Sequence, residues 1–386
     1  MAFTVSAVDR GSAARAGSLG LNHGTVETPC FMPVGTNATV KAMSVGDLEE
    51  LGVRLILGNS YHLLLRPGPD VIRAAGGLHR FMGWPHNILT DSGGYQVFSL
   101  AQLRRIDEGG VSFRSHLDGS SRRLAPEDVV DLEVLVYGSD VLMPLDVCSA
   151  PGITRAEAEE SLELTTRWLV RSRDRWRDLA APLKGELFGI MQGNFHRDLR
   201  ERSAAGIVAL DLPGYAIGGL SVGEEFALYR EFTHLSAGLL PAGKPRYLMG
   251  IGTPEYVLEA VEAGVDLFDC VFPTRTARNA LVFTADGPLN LRLEANRDDF
   301  GPIDPSCRCT ACRSHSRAYL RHLFKAKEIL AAMLATRHNL AFLSSMVHDA
   351  RTAILEGRFT EFKRAFLSRY GQRQSGSQSG QEPAEI

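Results

Sequence analysis

Four polar residues of this 386-residue chain stand at one kind of place, the end of a short apolar run. Asp91 closes NILTDSGG, Asp146 closes VLMPLDV, Gln192 closes LFGIMQG, and Asp269 lies near the end of LFDCVFP. One such carboxylate is usually a helix cap or an ion-pair partner. Three carboxylates and an amide converging on one mouth are harder to explain that way, because buried like charges are costly without a partner or a substrate. Two carboxylates can divide labour as nucleophile and general acid/base, as in retaining glycosyl transfer. Cys270 is one residue beyond Asp269, so its side chain points to the other side of a strand and is expected to be packed in the core. Arg275 and Arg278 follow closely, where a guanidinium could clamp phosphates beside a reacting sugar.

A second chemical signal lies further on. CRCTAC places Cys307, Cys309 and Cys312 as C-x-C-x-x-C, close enough for three thiolates to hold one tetrahedral ion. A fourth ligand is needed, and His315, His322 and His338 are the candidates; spacing alone does not choose among them. Three cysteines plus a histidine leave no open position, which makes the expected zinc structural. Tight clustering also favours metal over disulfides in a chain with no sign of export.

The elements that must position these residues are legible as a repeat. Apolar runs recur at 31–36, 54–60, 87–94, 141–147, 187–193, 215–220, 247–252 and 267–273, each followed by a helix-compatible segment. Ser44 is placed to cap a helix over SVGDLEELG. Thr253, Pro254 and Gly264 frame another as N-cap, N1 and stop. Continuous apolar strands alternating with helices predict a parallel sheet buried on both faces. Eight such units predict an α/β fold, an irregular (β/α)8 TIM barrel with its chemistry at the C-terminal strand ends. A doubly wound sheet is disfavoured, since no G-x-G-x-x-G follows the first strand. Residues 109–124 read as a hairpin with an Asp118–Gly119 turn. The expected organisation is an N-terminal hairpin capping the barrel (1–30), the barrel (31–280), a zinc-binding subdomain (281–345) and C-terminal helices (346–370). The tail 371–386 has little apolar material to bury and is expected to be disordered.

Composition narrows the class without naming it. An apolar share of 44% and a charged share of 23% fit a globular protein. No run approaches the length of a membrane span, and the first residues have no apolar h-region, so a secretory signal is not expected. The net charge of −3 gives no global sign of nucleic-acid binding but leaves room for a local basic face. Arg167, Arg171, Arg173, Arg175 and Arg177, with Trp168 and Trp176, fit a solvated outer helix as well as they fit a phosphate contact.

DSGGYQ (91–96), FMPVGT, LGNSYHLLLRPG (57–68), YAIGGLSVGE (215–224), YLMGIGTP, FDCVFPTRTARN and the cysteine cluster followed by His338 together resemble the tRNA-guanine transglycosylases, the bacterial type most closely. The resemblance runs in order to about Tyr370. It implies the same barrel with a zinc subdomain, and an exchange of the wobble guanine for a 7-deazaguanine. The bacterial enzymes use 7-aminomethyl-7-deazaguanine on the GUN-anticodon tRNAs for aspartate, asparagine, histidine and tyrosine, toward queuosine; queuine is the alternative base. By motif, Asp269 would be the nucleophile and Asp91 the general acid/base. Ser92, Tyr95, Asp146, Gln192, Gly219, Leu220 and Met249 would hold the base, with Tyr95 and Met249 sandwiching it. Arg275 and Arg278 would bind tRNA. Cys307, Cys309, Cys312 and His338 would bind one zinc ion. A cytoplasmic homodimer without membrane attachment is implied.

The chain departs from the family pattern at Val147, where a glutamate is usual, at Ser221, where a smaller residue is common, and at Ala280, where glycine is frequent. Cys148 and Val222 follow the bacterial pattern. A hydrolase using the same two carboxylates and a non-catalytic binding subunit are the competing readings. The retained Asp91 and Asp269 weigh against the second. A metal-dependent amidohydrolase is disfavoured because FMPVGT carries no His-x-His pair.

Overall fold

A computed structural model of the protein describes residues 1–94, 104–149 and 152–371. The chain opens with an antiparallel sheet, β1 (Ala2–Val8), β2 (Arg15–Leu21) and β3 (Gly24–Thr28). Barrel strands β4 (Cys30–Gly35), β5 (Leu55–Asn59) and β6 (Asn87–Asp91) follow. A second antiparallel sheet comprises β7 (Arg104–Asp107), β8 (Gly110–Arg114) and β9 (Ser121–Leu124). The barrel resumes with β10 (Val141–Leu142), β11 (Glu186–Met191), β12 (Gly214–Ile217), β13 (Arg246–Leu248) and β14 (Leu267–Cys270). A final hairpin is β15 (Leu281–Thr284) and β16 (Gly287–Asn290). The eight barrel strands pair in parallel, and β14 closes on β4 with Leu267 opposite Cys30.

Each expected apolar run carries a barrel strand. The one at 141–147 is shortest: Met143 donates one more bond to Thr90, and Pro144 has no N–H to continue the ladder. The sheet at 104–124 has a strand more than the hairpin read from sequence, because Arg104–Asp107 pairs with Gly110–Arg114. Local chemistry sets the helix starts. Ser44 Oγ accepts the Asp47 N–H at 3.1 Å and Asp47 returns the bond to the Ser44 N–H at 3.0 Å, a reciprocal capping box. Helix Pro254–Glu262 has Pro254 in its first turn and ends before Gly264, whose φ is +86°.

Strand alternation decides what faces inward. Met32, Val34, Leu55, Leu57, Leu89, Phe188, Ile190, Ala216, Tyr247 and Leu267 fill the barrel interior as one apolar cluster. Continuing those strands by two residues brings Asn59, Asp91, Gln192 and Asp269 to the same side at the C-terminal end. The opposite end is closed by the first sheet, whose Leu19 and Val26 join the interior cluster. A buried pair ties that sheet down, with the Arg15 guanidinium against both Asp266 oxygens at 3.0 and 2.5 Å. With one end plugged, the polar end is the mouth. Outside the barrel, Val282, Leu289, Leu291, Ile303, Leu320 and Leu334 form a separate small core beside the cysteine cluster.

Candidate active site

Asp269 sits in β14 beside Tyr247 of β13. Its Oδ1 accepts the Tyr247 hydroxyl at 2.6 Å and the Gly250 N–H at 2.9 Å. Two donors on one oxygen orient the carboxylate and leave Oδ2 to act. Burial raises its proton affinity, and the bonds from Tyr247 and Gly250 oppose that rise.

Asp91 ends β6 across the mouth. Asn59 donates to its Oδ2 at 2.7 Å, while Oδ1 is buried with no hydrogen-bond partner among the described residues. Burial pushes its carboxyl up to about 8, and the charge of Asp269 adds to the rise. The Asn59 amide and the backbone at Ser60 and Gly93 offset part of it. The mouth thus holds two carboxyls with different proton affinities, the arrangement that separates acid from nucleophile.

Asp146 and Gln192 meet beside them, Gln192 Nε2 donating to Asp146 Oδ2 at 2.8 Å. Burial raises Asp146 to about 6 and the Gln192 bond restrains the shift. Gly94 makes this approach possible, since a Cβ there would lie 2.5 Å from Asp146 Oδ1. Ser92 is buried, its Oγ accepting the Gly94 N–H at 3.3 Å. Gly219 takes a left-handed φ of +67° and packs near Gln192 Oε1. Leu220 is buried, and Met249 packs against the barrel interior. Tyr95 lies outside the described residues.

The loop after β12 is held from behind by residues not singled out in the sequence. Arg200, fully buried on helix Arg197–Val208, donates to the carbonyls of Asn194 (2.8 Å), Gly218 (2.7 Å) and Gly219 (3.3 Å). Burial lowers its proton affinity, and Glu224 restores part. Glu224 accepts the N–H groups of Ser221 at 2.6 Å and Val222 at 2.8 Å. In a trans peptide C=O and N–H point opposite ways, so the Leu220 carbonyl is directed away from Glu224. Asn59 could have been found, because it occupies the strand-end register of Asp91; Tyr247 lies one layer deeper, in register with Leu267, and only its hydroxyl reaches Asp269. Arg200 gave no signal, being one of several arginines in a helix of mixed polarity.

Cys270 faces the helix layer and packs against the outer core, and burial pushes its thiol up to about 12. It is poorly suited to be a nucleophile there. Helix Phe272–Arg278 carries Arg275, exposed, and Arg278, half-buried, with no acidic partner among the described residues; burial and the charge of Arg275 lower the proton affinity of Arg278. The arginines of helix Arg155–Asp178 are different. Arg167 pairs with Glu108, Arg171 with Glu127 and Arg175 with Asp131, which is the outer-helix reading.

Val147 packs on the apolar cluster of Leu145, Phe113 and Trp168. Ser221 and Ala280 have φ of +58° and +73°, so both departures fall where an L side chain is disfavoured and glycine fits more easily.

The donors of Cys307, Cys309, Cys312 and His338 lie within 4.8 Å of one another. His338 Nδ1 is 3.2 Å from Cys312 Sγ and 3.6 Å from Cys309 Sγ, and Nε2 is 2.6 Å from the Phe283 carbonyl. That bond puts the ring proton on Nε2 and turns the Nδ1 lone pair into the cluster, as a ligand requires. The cluster could hold a metal ion. His315 stacks on Tyr319 instead.

A family profile described as queuine tRNA-ribosyltransferase matches residues 9–372. The chain belongs to that family. It is 52% identical over 371 residues to the queuine tRNA-ribosyltransferase of Treponema denticola, covering 96% of this chain and 98% of that one. It is 50% identical over 370 residues to the one from Desulfosudis oleivorans, covering 96% and 95%. Membership makes the chain a transferase of the glycosyltransferase type, a tRNA-guanine transglycosylase. No helix among the described residues is long and apolar enough to cross a membrane.

Proposed function

We propose that the enzyme exchanges the wobble guanine of GUN-anticodon tRNAs (aspartate, asparagine, histidine and tyrosine) for 7-aminomethyl-7-deazaguanine, in queuosine synthesis. The observation that carries this reading is the pair of inward-facing carboxyls, Asp269 fixed by two donors and Asp91 favouring its proton near neutral pH. Asp269 Oδ2 attacks the ribose anomeric carbon and forms an ester as the bond to guanine breaks. Asp91 gives its proton to the leaving base, then takes the ring N–H proton of the incoming one as the new glycosidic bond replaces the ester. Two displacements at one carbon give retention.

A carboxylate beside an amide suits the guanine edge. Ionised Asp146 accepts its two neighbouring N–H groups, while Gln192 and the Gly219 backbone serve the carbonyl side. The Leu220 carbonyl accepts from the aminomethyl group, Ser92 lines the floor, and Met249 with Tyr95 sandwiches the base. The base must leave its stack to reach this depth, which an anticodon loop allows. Arg275 and Arg278 hold the flanking phosphates. We further propose that Cys307, Cys309, Cys312 and His338 bind one structural zinc ion, and that the enzyme acts as a homodimer in the cytoplasm.

Queuine as incoming base is the second reading, favoured by the names of the relatives. Incubating unmodified aspartate tRNA with the enzyme and each base, then identifying the incorporated nucleoside by mass, separates the two. Incorporation of neither base into guanine-releasing tRNA defeats both.

The two proton states also set a pH profile. Asp91 must enter protonated, so the rate should fall as pH rises through about 8. Asp269 must be ionised, so the rate should also fall on acidification, at a pH above the ordinary carboxylate range. Turnover of labelled guanine exchange against pH checks both limbs; a rate still climbing above pH 8 would contradict the role of Asp91.

A further inference from the structure

One buried carboxylate lies behind the mouth and takes no part in the chemistry above. Glu133 stands in the π-helical turn Leu132–Tyr137 that continues helix Pro126–Asp131, and it is fully buried. Its Oε1 accepts the Thr90 hydroxyl at 2.8 Å, and that hydroxyl also meets Ser139 Oγ at 2.8 Å. Thr90 precedes Asp91 in β6. The Met143 backbone, just past β10, also stabilises the Glu133 carboxylate, and Ser60, just past β5, lies beside it. β10, β6 and β5 are adjacent in the barrel, so one side chain braces three neighbouring strand ends. A π-turn inside a helix is an unusual local geometry that recurs at functional sites.

Among the described residues, Glu133 Oε2, Ser60 Oγ and Asp91 Oδ1 are buried with no hydrogen bond of good geometry. The Thr90 hydroxyl, the Met143 backbone and the Ser60 hydroxyl favour ionised Glu133, and burial outweighs them. Ser60 stands between the two acids, its backbone acting on Asp91 and its hydroxyl beside Glu133.

We propose, building on the double-displacement reading, that Glu133 is a positioning residue for Asp91, bracing the ends of β5, β6 and β10 and forming with Asp91 one coupled carboxyl pair across Ser60. Burial raises the proton affinity of Glu133 well above the usual range, and the charge of Asp91 adds to it. The other ionisable neighbours are Tyr137 on the same turn, affected by Glu133, and Asp269 and Tyr247 on the far side of Asp91. During exchange the proton moves from Asp91 to the leaving base and returns from the incoming base. Glu133 keeps its own proton throughout and so limits the negative charge beside ionised Asp91.

Glu133→Gln in the full-length enzyme keeps the bracing shape and removes the second titrating acid. A neutral Glu133 puts no charge on Asp91, so the alkaline limb of guanine exchange should stay in place in this variant, whereas Glu133→Ala, which removes the brace, should lower turnover on the order of tenfold. KM for tRNA should stay within about twofold. An alkaline limb that moves in Glu133→Gln overturns the protonated Glu133, and a Glu133→Ala enzyme with undiminished turnover overturns the bracing. If the variant does not fold, infrared spectra of enzyme carrying 13C-carboxyl glutamate decide. A protonated glutamate band at neutral pH whose titration moves to lower pH in Asp91→Asn supports the pair; absence of the band, or indifference to Asp91, overturns it. Wild-type enzyme that exchanges no guanine would sink the underlying reading, while the infrared test would still stand for Glu133.

Discussion

Asp269→Asn should fold, bind tRNA and form no denaturant-stable tRNA adduct, with guanine exchange reduced at least about 10⁴-fold. The substitution is close to isosteric, and the amide oxygen can still accept from Tyr247 and Gly250, so the strand-end geometry is retained. What is lost is the ionised oxygen able to form an ester. Stability should not suffer. A carboxyl whose proton affinity is higher folded than unfolded contributes stability below its unfolded pKa and loses it as pH rises through the folded value. Replacing it removes that loss, so the variant should compare best with wild type on the alkaline side of the transition. A second consequence is electrostatic. The charge of Asp269 helps raise Asp91 to about 8, so Asp91 should titrate lower in the variant. Denaturing gels of enzyme with labelled tRNA read the adduct. Undiminished adduct would show that another group attacks the sugar.

The reason so much of this site is legible in the chain lies in barrel geometry. Period-two alternation carries Leu89 to Asp91, Ile190 to Gln192 and Leu267 to Asp269, so an apolar run ending in a polar residue reports both a strand and its inward-facing tip. The same rule separates Asp269 from Cys270, which packs on the opposite face. Residues acting from outside the strands are silent. Arg200 and Glu133 sit on helices among other charged residues, and only the fold shows that Arg200 is buried against a carbonyl of the mouth and Glu133 against the Thr90 hydroxyl behind it. Glu224 was visible as a letter in YAIGGLSVGE, but its grip on the Ser221 and Val222 N–H groups depends on a left-handed Ser221 that spacing does not reveal. β10 was read too long because its apolar run continues past Pro144, where the ladder stops.

Removing the metal ligands should have the largest structural effect. In Cys312→Ser, or after chelation, the enzyme should lose the single equivalent of zinc proposed for this cluster, and amide exchange protection should collapse across the cysteine segment and β15–β16. The core there is small, whereas structural zinc in zinc-finger peptides contributes about 10–16 kcal/mol of apparent binding energy. The damage should also reach the mouth. His338 lies on helix Ile329–Leu355, and its neighbour Asn339 accepts the Phe283 N–H at 2.9 Å. The Asn339 amide donates to the carbonyls of Pro273 at 2.9 Å and Leu281 at 3.2 Å. Pro273 belongs to the helix that carries Arg275 and Arg278. Loosening His338 therefore loosens the seat of the two arginines, while Asp91, Asp146 and Gln192 rest on barrel strands the metal does not touch. The expected kinetic signature is a rise in KM for tRNA larger than any fall in turnover, with the barrel helices still protected. Elemental analysis and hydrogen exchange on the full chain check this. A variant that keeps its zinc and its protection would remove Cys312 from the ligand set, and one that loses zinc with KM unchanged would sever the link from the metal site to the arginine helix.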